Sequence, residues 1–212
     1  MANISGYPRR IAKAAGLLVI CIGLLALAGW VLGFPLLVTV RMGWPSMVPA
    51  TALTMAAAGL LLILVSRQTL GIDLQTPGNP GGQITAEHRV AEARAGLVVF
   101  VGLVRLVFRV AGWNAGFFDH LGLPVPAEFA ASGMSPATAA DFILLGGALF
   151  LAMRKEAFAA FQILAMLAGL LAWLGFSRYF YGGDAVPPFA QMAAHTALAC
   201  LLLSIGALCA RP

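Results

Sequence analysis

The feature that most constrains this chain is a series of six apolar runs, each near the length at which an α-helix crosses the hydrocarbon core of a bilayer. They fall at 14–33, 49–66, 93–112, 136–153, 157–177 and 193–210. Polar chain to cover them in water is lacking: 61% of the 212 residues are hydrophobic and 10% charged, against about 25% charged in an ordinary soluble domain. A backbone in lipid must satisfy its own hydrogen bonds, so every run is expected to be helical. The expected fold is therefore all-α, a single membrane domain over 1–212 with six transmembrane helices. They form three hairpins, 14–66, 93–153 and 157–210, and a turn-rich connector lies at 67–92. The first run continues from Ala14 to Gly33 and reads as a retained span rather than a cleavable leader.

Charge sets the expected orientation. Of the 13 basic residues, Arg9, Arg10, Lys13, Arg67, Arg89, Arg94, Arg154, Lys155 and Arg211 flank the runs on one side. Arg41 and Arg178 flank them on the other, and Arg105 and Arg109 lie inside the third run. Positive residues stay in the cytoplasm, so both termini are expected there, in a bacterial inner membrane. Trp30, Trp113, Trp173, Tyr179 and Tyr181 fall near the outer ends of runs one, three and five, where interfacial aromatics belong. The basic residues form no stripe, which argues against a nucleic-acid partner. Cys21, Cys200 and Cys209 all lie within the runs and imply no disulfide framework. In the outer loop after run three, Phe117, Phe118, Leu121 and Leu123 suggest a segment lying on the membrane surface or capping the bundle.

Internal similarity adds a further constraint. Met47-Val48-Pro49-Ala50-Thr51-Ala52-Leu53 opens run two, Met134-Ser135-Pro136-Ala137-Thr138-Ala139-Ala140 opens run four, and Met192-Ala193-Ala194-His195-Thr196-Ala197-Leu198 opens run six. The outer-face motif residues are Met47, Pro49, Thr51, Met134, Pro136, Thr138, Met192, His195 and Thr196. Helix chemistry explains part of this pattern. Proline is tolerated in a first turn, a hydroxyl can hold free amides there, and small residues further in let helices approach closely in lipid. Three copies imply three related hairpins, with Thr51, Thr138 and Thr196 at similar depth.

The triplicated motif, together with the closing stretch from Ala194-His195-Thr196-Ala197-Leu198 to Ala210-Arg211-Pro212, resembles the multi-span input regions of bacterial sensor histidine kinases and diguanylate cyclases. Gly112-Trp113-Asn114-Ala115-Gly116 is similar to the segment ahead of the second copy in that family. The resemblance implies a membrane sensor placed before cytoplasmic signalling modules. No kinase core, phosphoacceptor helix or cyclase motif occurs within the 212 residues, so an isolated input domain or a stand-alone membrane subunit is expected. Asp141 departs from the family, where a small or apolar residue is expected.

No phosphate-cradling loop, paired metal histidines or nucleophile elbow is found, so the expectation is a non-enzymatic protein that requires no cofactor. Met47, Met134, Met192 and His195, with Met42 and His120 nearby, form a loose set of copper-type ligands. That set resembles the repeated Met and His residues of MHYT-type sensors, but copies one and two lack the His and Tyr. Arg105, Arg109 and Asp141 are the charges hardest to reconcile with lipid, and the expectation is that Asp141 faces an arginine across neighbouring runs three and four. The functional expectation is a sensory or regulatory membrane domain whose partners are the bilayer and other helices, through protein contacts or self-association. The alternative is an accessory subunit of a larger, pigment-bearing or other, membrane complex; a transporter comes third, as it would need polar or broken helices at mid-membrane.

Overall fold

The computed structural model describes residues 6–41, 43–73, 86–111, 133–154, 157–181 and 189–211, with the side chains of 6, 68–73, 86–91 and 109 outside the description. The connector 74–85, Met42, Trp113, Phe117, Phe118, His120, Leu121, Leu123 and Lys155 lie outside the described residues, as does the Arg109 side chain.

Described residues are all-helical, without strands. Six long helices are α1 (Gly6–Leu32), α3 (Pro49–Asp73), α4 (Ala86–Val110), α5 (Pro136–Ala152), α6 (Phe158–Tyr181) and α7 (Ala194–Ala210), and a short α2 (Pro35–Val38) follows α1. Three stretches, Tyr7–Leu32, Pro49–Arg67 and Phe158–Tyr181, are long and apolar enough to cross a membrane, while α5 and α7 are apolar helices of 17 residues.

Several helices outrun the apolar runs that announce them. α1 begins at Gly6, before Arg9, Arg10 and Lys13; α3 continues to Asp73; α4 starts at Ala86. Hydropathy marks where lipid can lie, but a helix once nucleated adds residues at little cost until something breaks it. The connector is correspondingly shorter than 67–92. Gly33, at φ 68°, ends α1, and the Phe34 amide returns 2.9 Å to the Gly29 carbonyl, the closure a left-handed glycine permits. Pro35 then takes the first position of α2, where a missing N–H costs nothing.

Helices α3, α5 and α7 touch one another, and each of α1, α4 and α6 sits against two of them: α1 on α3 and α7, α4 on α3 and α5, α6 on α5 and α7. Among the described residues the outer three make no contact with each other. Side-chain burial follows this plan. In α6 the buried residues are Phe161, Ala165, Ala168, Ala172 and Gly175, a narrow stripe at alternating spacings of four and three. Its other faces expose Ile163, Met166, Leu167, Leu170, Trp173 and Leu174. α1 likewise exposes Leu17, Leu18, Leu24, Leu25, Val31 and Leu32.

Small residues set the spacing between neighbours, as expected where lipid supplies no hydrophobic drive between helices. A methyl added at Gly16 would lie 2.7 Å from the Gly59 carbonyl oxygen, and one at Gly59 would lie 2.7 Å from that of Gly16. Seven residues on, a methyl at Gly23 would meet the Ala52 carbonyl at 2.6 Å. α4 and α5 repeat the arrangement, Gly102 against the Ala139 carbonyl at 2.7 Å and Gly146 against the Val99 amide at 3.0 Å and the Ala95 carbonyl at 3.2 Å. In each pair rising numbers on one helix meet falling numbers on the other, so α1/α3 and α4/α5 are antiparallel. Gly169 beside Ser204 and Gly175 beside Met192 place α6 and α7 in the same relation.

Candidate functional site

The three motif segments adopt one local geometry. α3, α5 and α7 start at the third residue of their segments, Pro49, Pro136 and Ala194. The amides of Ala52, Ala139 and Ala197 each donate 3.0 Å to the carbonyls of Val48, Ser135 and Ala193. Only the second copy has a side-chain cap: Ser135 Oγ accepts from the Thr138 amide at 3.0 Å and lies 2.8 Å from Thr138 Oγ1. Pro136, next in the chain at the first helical position, and the extended Ser135 backbone suit that cap. Thr51, Thr138 and Thr196 are all buried, as are Met47, Met134 and Met192.

Two bridges bind the motif ends to their neighbours. The Trp30 indole, near the end of α1, donates 2.8 Å to the Met47 carbonyl. Trp30 is thus buried rather than placed at a wet interface, since its N–H finds a partner inside the protein. Near the end of α6, Tyr179 Oη donates to the Met192 carbonyl, and Arg178 donates both to the Phe189 carbonyl and to Tyr179 Oη. The Trp44 ring, from the segment leading into α3, packs 4.4 Å from that of Tyr179, joining the two bridges. Sequence reasoning took Arg178 only as a flanking charge and did not single out Trp44. The aromatic-cationic composition of both outer segments was the available signal.

At the opposite end, Arg211 Nη1 donates 2.8 Å to the Arg154 carbonyl and 3.3 Å to that of Ala152, while its guanidinium lies 5.4 Å from the Phe158 ring centre. Arg154 in turn stacks over Phe150 at 4.6 Å and approaches Glu92 of α4 at 3.8 Å, an exposed pair worth little on its own. Since α5 and α7 end together here, they run parallel.

Asp141 lies between these ends and is fully buried. α4 and α5 are neighbours, yet the expected pairing of Asp141 with Arg105 does not form. Among the described residues no arginine reaches the carboxylate, and both oxygens lack a hydrogen-bond partner. The group beside the carboxyl is the Cys200 thiol of α7. The reason is rotational: Asp141 is turned toward the inner helices, whereas Arg105 is half-buried on α4. His195 is also half-buried, and both its ring nitrogens lack partners among the described residues.

Met192 sulfur lies against Gly175 of α6, where an added methyl would come within 2.5 Å of it. No group of three His, Cys, Asp or Glu side chains gathers among the described residues. The arrangement can hold three helix starts in fixed relation to α1 and α6.

Compared with family models, with curated proteins and with solved structures, the chain matches none.

Proposed function

We propose that the chain is a six-span membrane domain of three related hairpins, set in a bacterial cytoplasmic membrane with both ends cytoplasmic. Its role is non-enzymatic: it senses at the motif end and passes the response inward through α7. Helices α5 and α7, at 17 residues, reach about 26 Å, within the range that crosses hydrocarbon. The apolar residues exposed on α1 and α6 supply a lipid-facing belt; in water a surface of that kind marks an aggregation liability. Arg9, Arg10, Lys13, Arg154 and Arg211 collect at one end and Arg41 and Arg178 at the other, which supports the orientation.

The observation that carries the sensory reading is the position of α7. It is packed against α1, α3, α5 and α6, tied to α6 at its start through Tyr179 and to the α5–α6 turn at its finish through Arg211. A close-packed helix moves as a unit rather than deforming gradually, so displacement at Met192 is delivered to Arg211.

Two measurements test this on the full chain. With the native cysteines replaced, Arg41→Cys should react with an impermeant maleimide only from outside and Arg154→Cys only from inside. Hydrogen exchange in lipid nanodiscs should then rise in the last turn of α7 when Met192 is changed to Ala. Exchange altered only in the first turn would refute transmission and favour the accessory-subunit role.

A further inference from the structure

We propose that Arg211 is a clasp that holds the output helix in its resting position, and that α7 can move only when this guanidinium leaves the α5–α6 turn. The proposal rests on the reading of α7 as the output helix, and it names the regulation of that helix.

The chemistry begins with the end of α5. The last four carbonyls of any helix have no partner within it and carry the negative end of its dipole. α5 ends at Ala152, and the following turn closes tightly, the Met153 amide bonding to Phe150 and the Arg154 amide 2.9 Å to Leu151. The Ala152 carbonyl projects from this turn beside that of Arg154, which also accepts a long 3.4 Å bond from Ala157. Arg211 addresses both carbonyls through one nitrogen and lays its guanidinium toward the Phe158 ring, at the first turn of α6. A planar, permanently charged fork suits such paired acceptors and an aromatic neighbour better than an ammonium does. The two carbonyls lie 59 and 57 positions earlier in the chain, so they join α7 to the end of α5, in a different hairpin, and not to its own last turn.

The surroundings favour a contact that can open. The bond to Arg154 is solvent-exposed and that to Ala152 only partly buried. Water can therefore replace the carbonyls when α7 shifts. At the opposite end the buried Met192 sulfur packs against Gly175 and the Met192 carbonyl takes a partly buried bond from Tyr179. α7 is thus held at its start by side-chain packing as well as a bond, and at its finish by bonds of which the shorter is exposed. Arg154, stacked on Phe150 and facing Glu92, extends the same clasp to α4, so release at Arg211 leaves α5 joined to α4.

The test uses the full chain in lipid nanodiscs with spin labels at native Cys209 and at Ala159→Cys, after replacing Cys21 with Ser and Cys200 with Ala. The distance distribution between the labels should be single and narrow in the parent. Arg211→Gln should add a longer population, displaced by about one helical turn of 5 Å and favoured about tenfold relative to the parent, the factor expected for losing a hydrogen bond to a charged group. Arg211→Lys, which keeps charge but not the fork, should fall between the two, and serves if the Gln variant does not fold. Arg10→Gln, an exposed arginine at the same end, should leave the distribution unchanged. An unaltered distribution in both Arg211 variants overturns the clasp. Gly175→Val, which presses on Met192, separates the clasp from the reading beneath it. If it leaves the labels unmoved while Arg211→Gln moves them, the clasp stands and transmission along α7 falls. If it moves them while the Arg211 variants do not, transmission stands and the clasp falls.

Discussion

Replacing Gly59 with Ala should separate α1 from α3. The new methyl would stand 2.7 Å from the Gly16 carbonyl oxygen, 3.0 Å from Ile20 Cγ1 and 3.2 Å from the Ile20 amide nitrogen. Two of these three atoms are backbone and cannot rotate aside, so the helices themselves must part. Overpacking of this kind costs about 1–3 kcal/mol, and a backbone obstacle places it near the upper figure. Alanine recovers about 1 kcal/mol through its better helix propensity, which leaves a net loss of about 2 kcal/mol. Gly96→Ala is the matched control, because a methyl there meets nothing within 4 Å and should bring the propensity gain of about 1 kcal/mol alone. Reversible unfolding in mixed micelles, followed by tryptophan fluorescence, should therefore separate the two variants by about 3 kcal/mol. Equal stability for Gly59→Ala and Gly96→Ala would falsify the close approach of α1 and α3 as a determinant of the fold.

Trp30→Phe keeps the ring but removes the donor to Met47, and should cost about 1–2 kcal/mol in the same assay; no loss would mean that the bond does not hold the motif end. Asp141→Thr should raise stability by about 1–3 kcal/mol, because it removes a buried group whose oxygens accept nothing. Thr54, seven residues after Met47 as Asp141 is after Met134, bonds 2.7 Å to the carbonyl of Ala50 in its own helix. A loss of similar size in Asp141→Thr would show that the carboxyl has a task at that position.

Much of the helix plan was legible because hydropathy and helix-start chemistry are local. The starts at Pro49 and Pro136 follow from proline in a first turn, and the finish near Leu32 from the left-handed Gly33. What could not be read is rotation. Thr138 and Asp141 of α5 and Thr196 and Ser204 of α7 are all buried, so a polar side chain did not mark an outward face, and Asp141 was expected to face an arginine of α4 when it lies beside Cys200. Small residues were the better guide: Ala137, Ala139, Gly146 and Ala148 on α5, with Ala197, Ala199, Gly206 and Ala207 on α7, are all buried. The polar extensions of α1, α3 and α4 were invisible to hydropathy for the reason that charged side chains do not stop a helix. The bridges of the motif end, through Arg178, Tyr179 and Trp44, depend on residues distant in sequence, and no local spacing announces them.

The contact between α1 and α7 has a consequence for how the protein is made. Ala12 and Ala15 lie against Gly206, so the flank of α1 that faces α7 is covered only when two segments far apart in sequence have met. Until then the side of the α1/α3 pair that receives Gly206 stays uncovered. The hairpins α1/α3 and α4/α5 can each form as they emerge, since their glycine contacts are internal to them. Closure is different in kind, because it spans nearly the entire chain and carries the large loop entropy of a distant contact. Closing this contact is therefore a different step from pairing within α1/α3 or α4/α5, and a chain in which α7 has not yet docked keeps a seam that the folded bundle lacks.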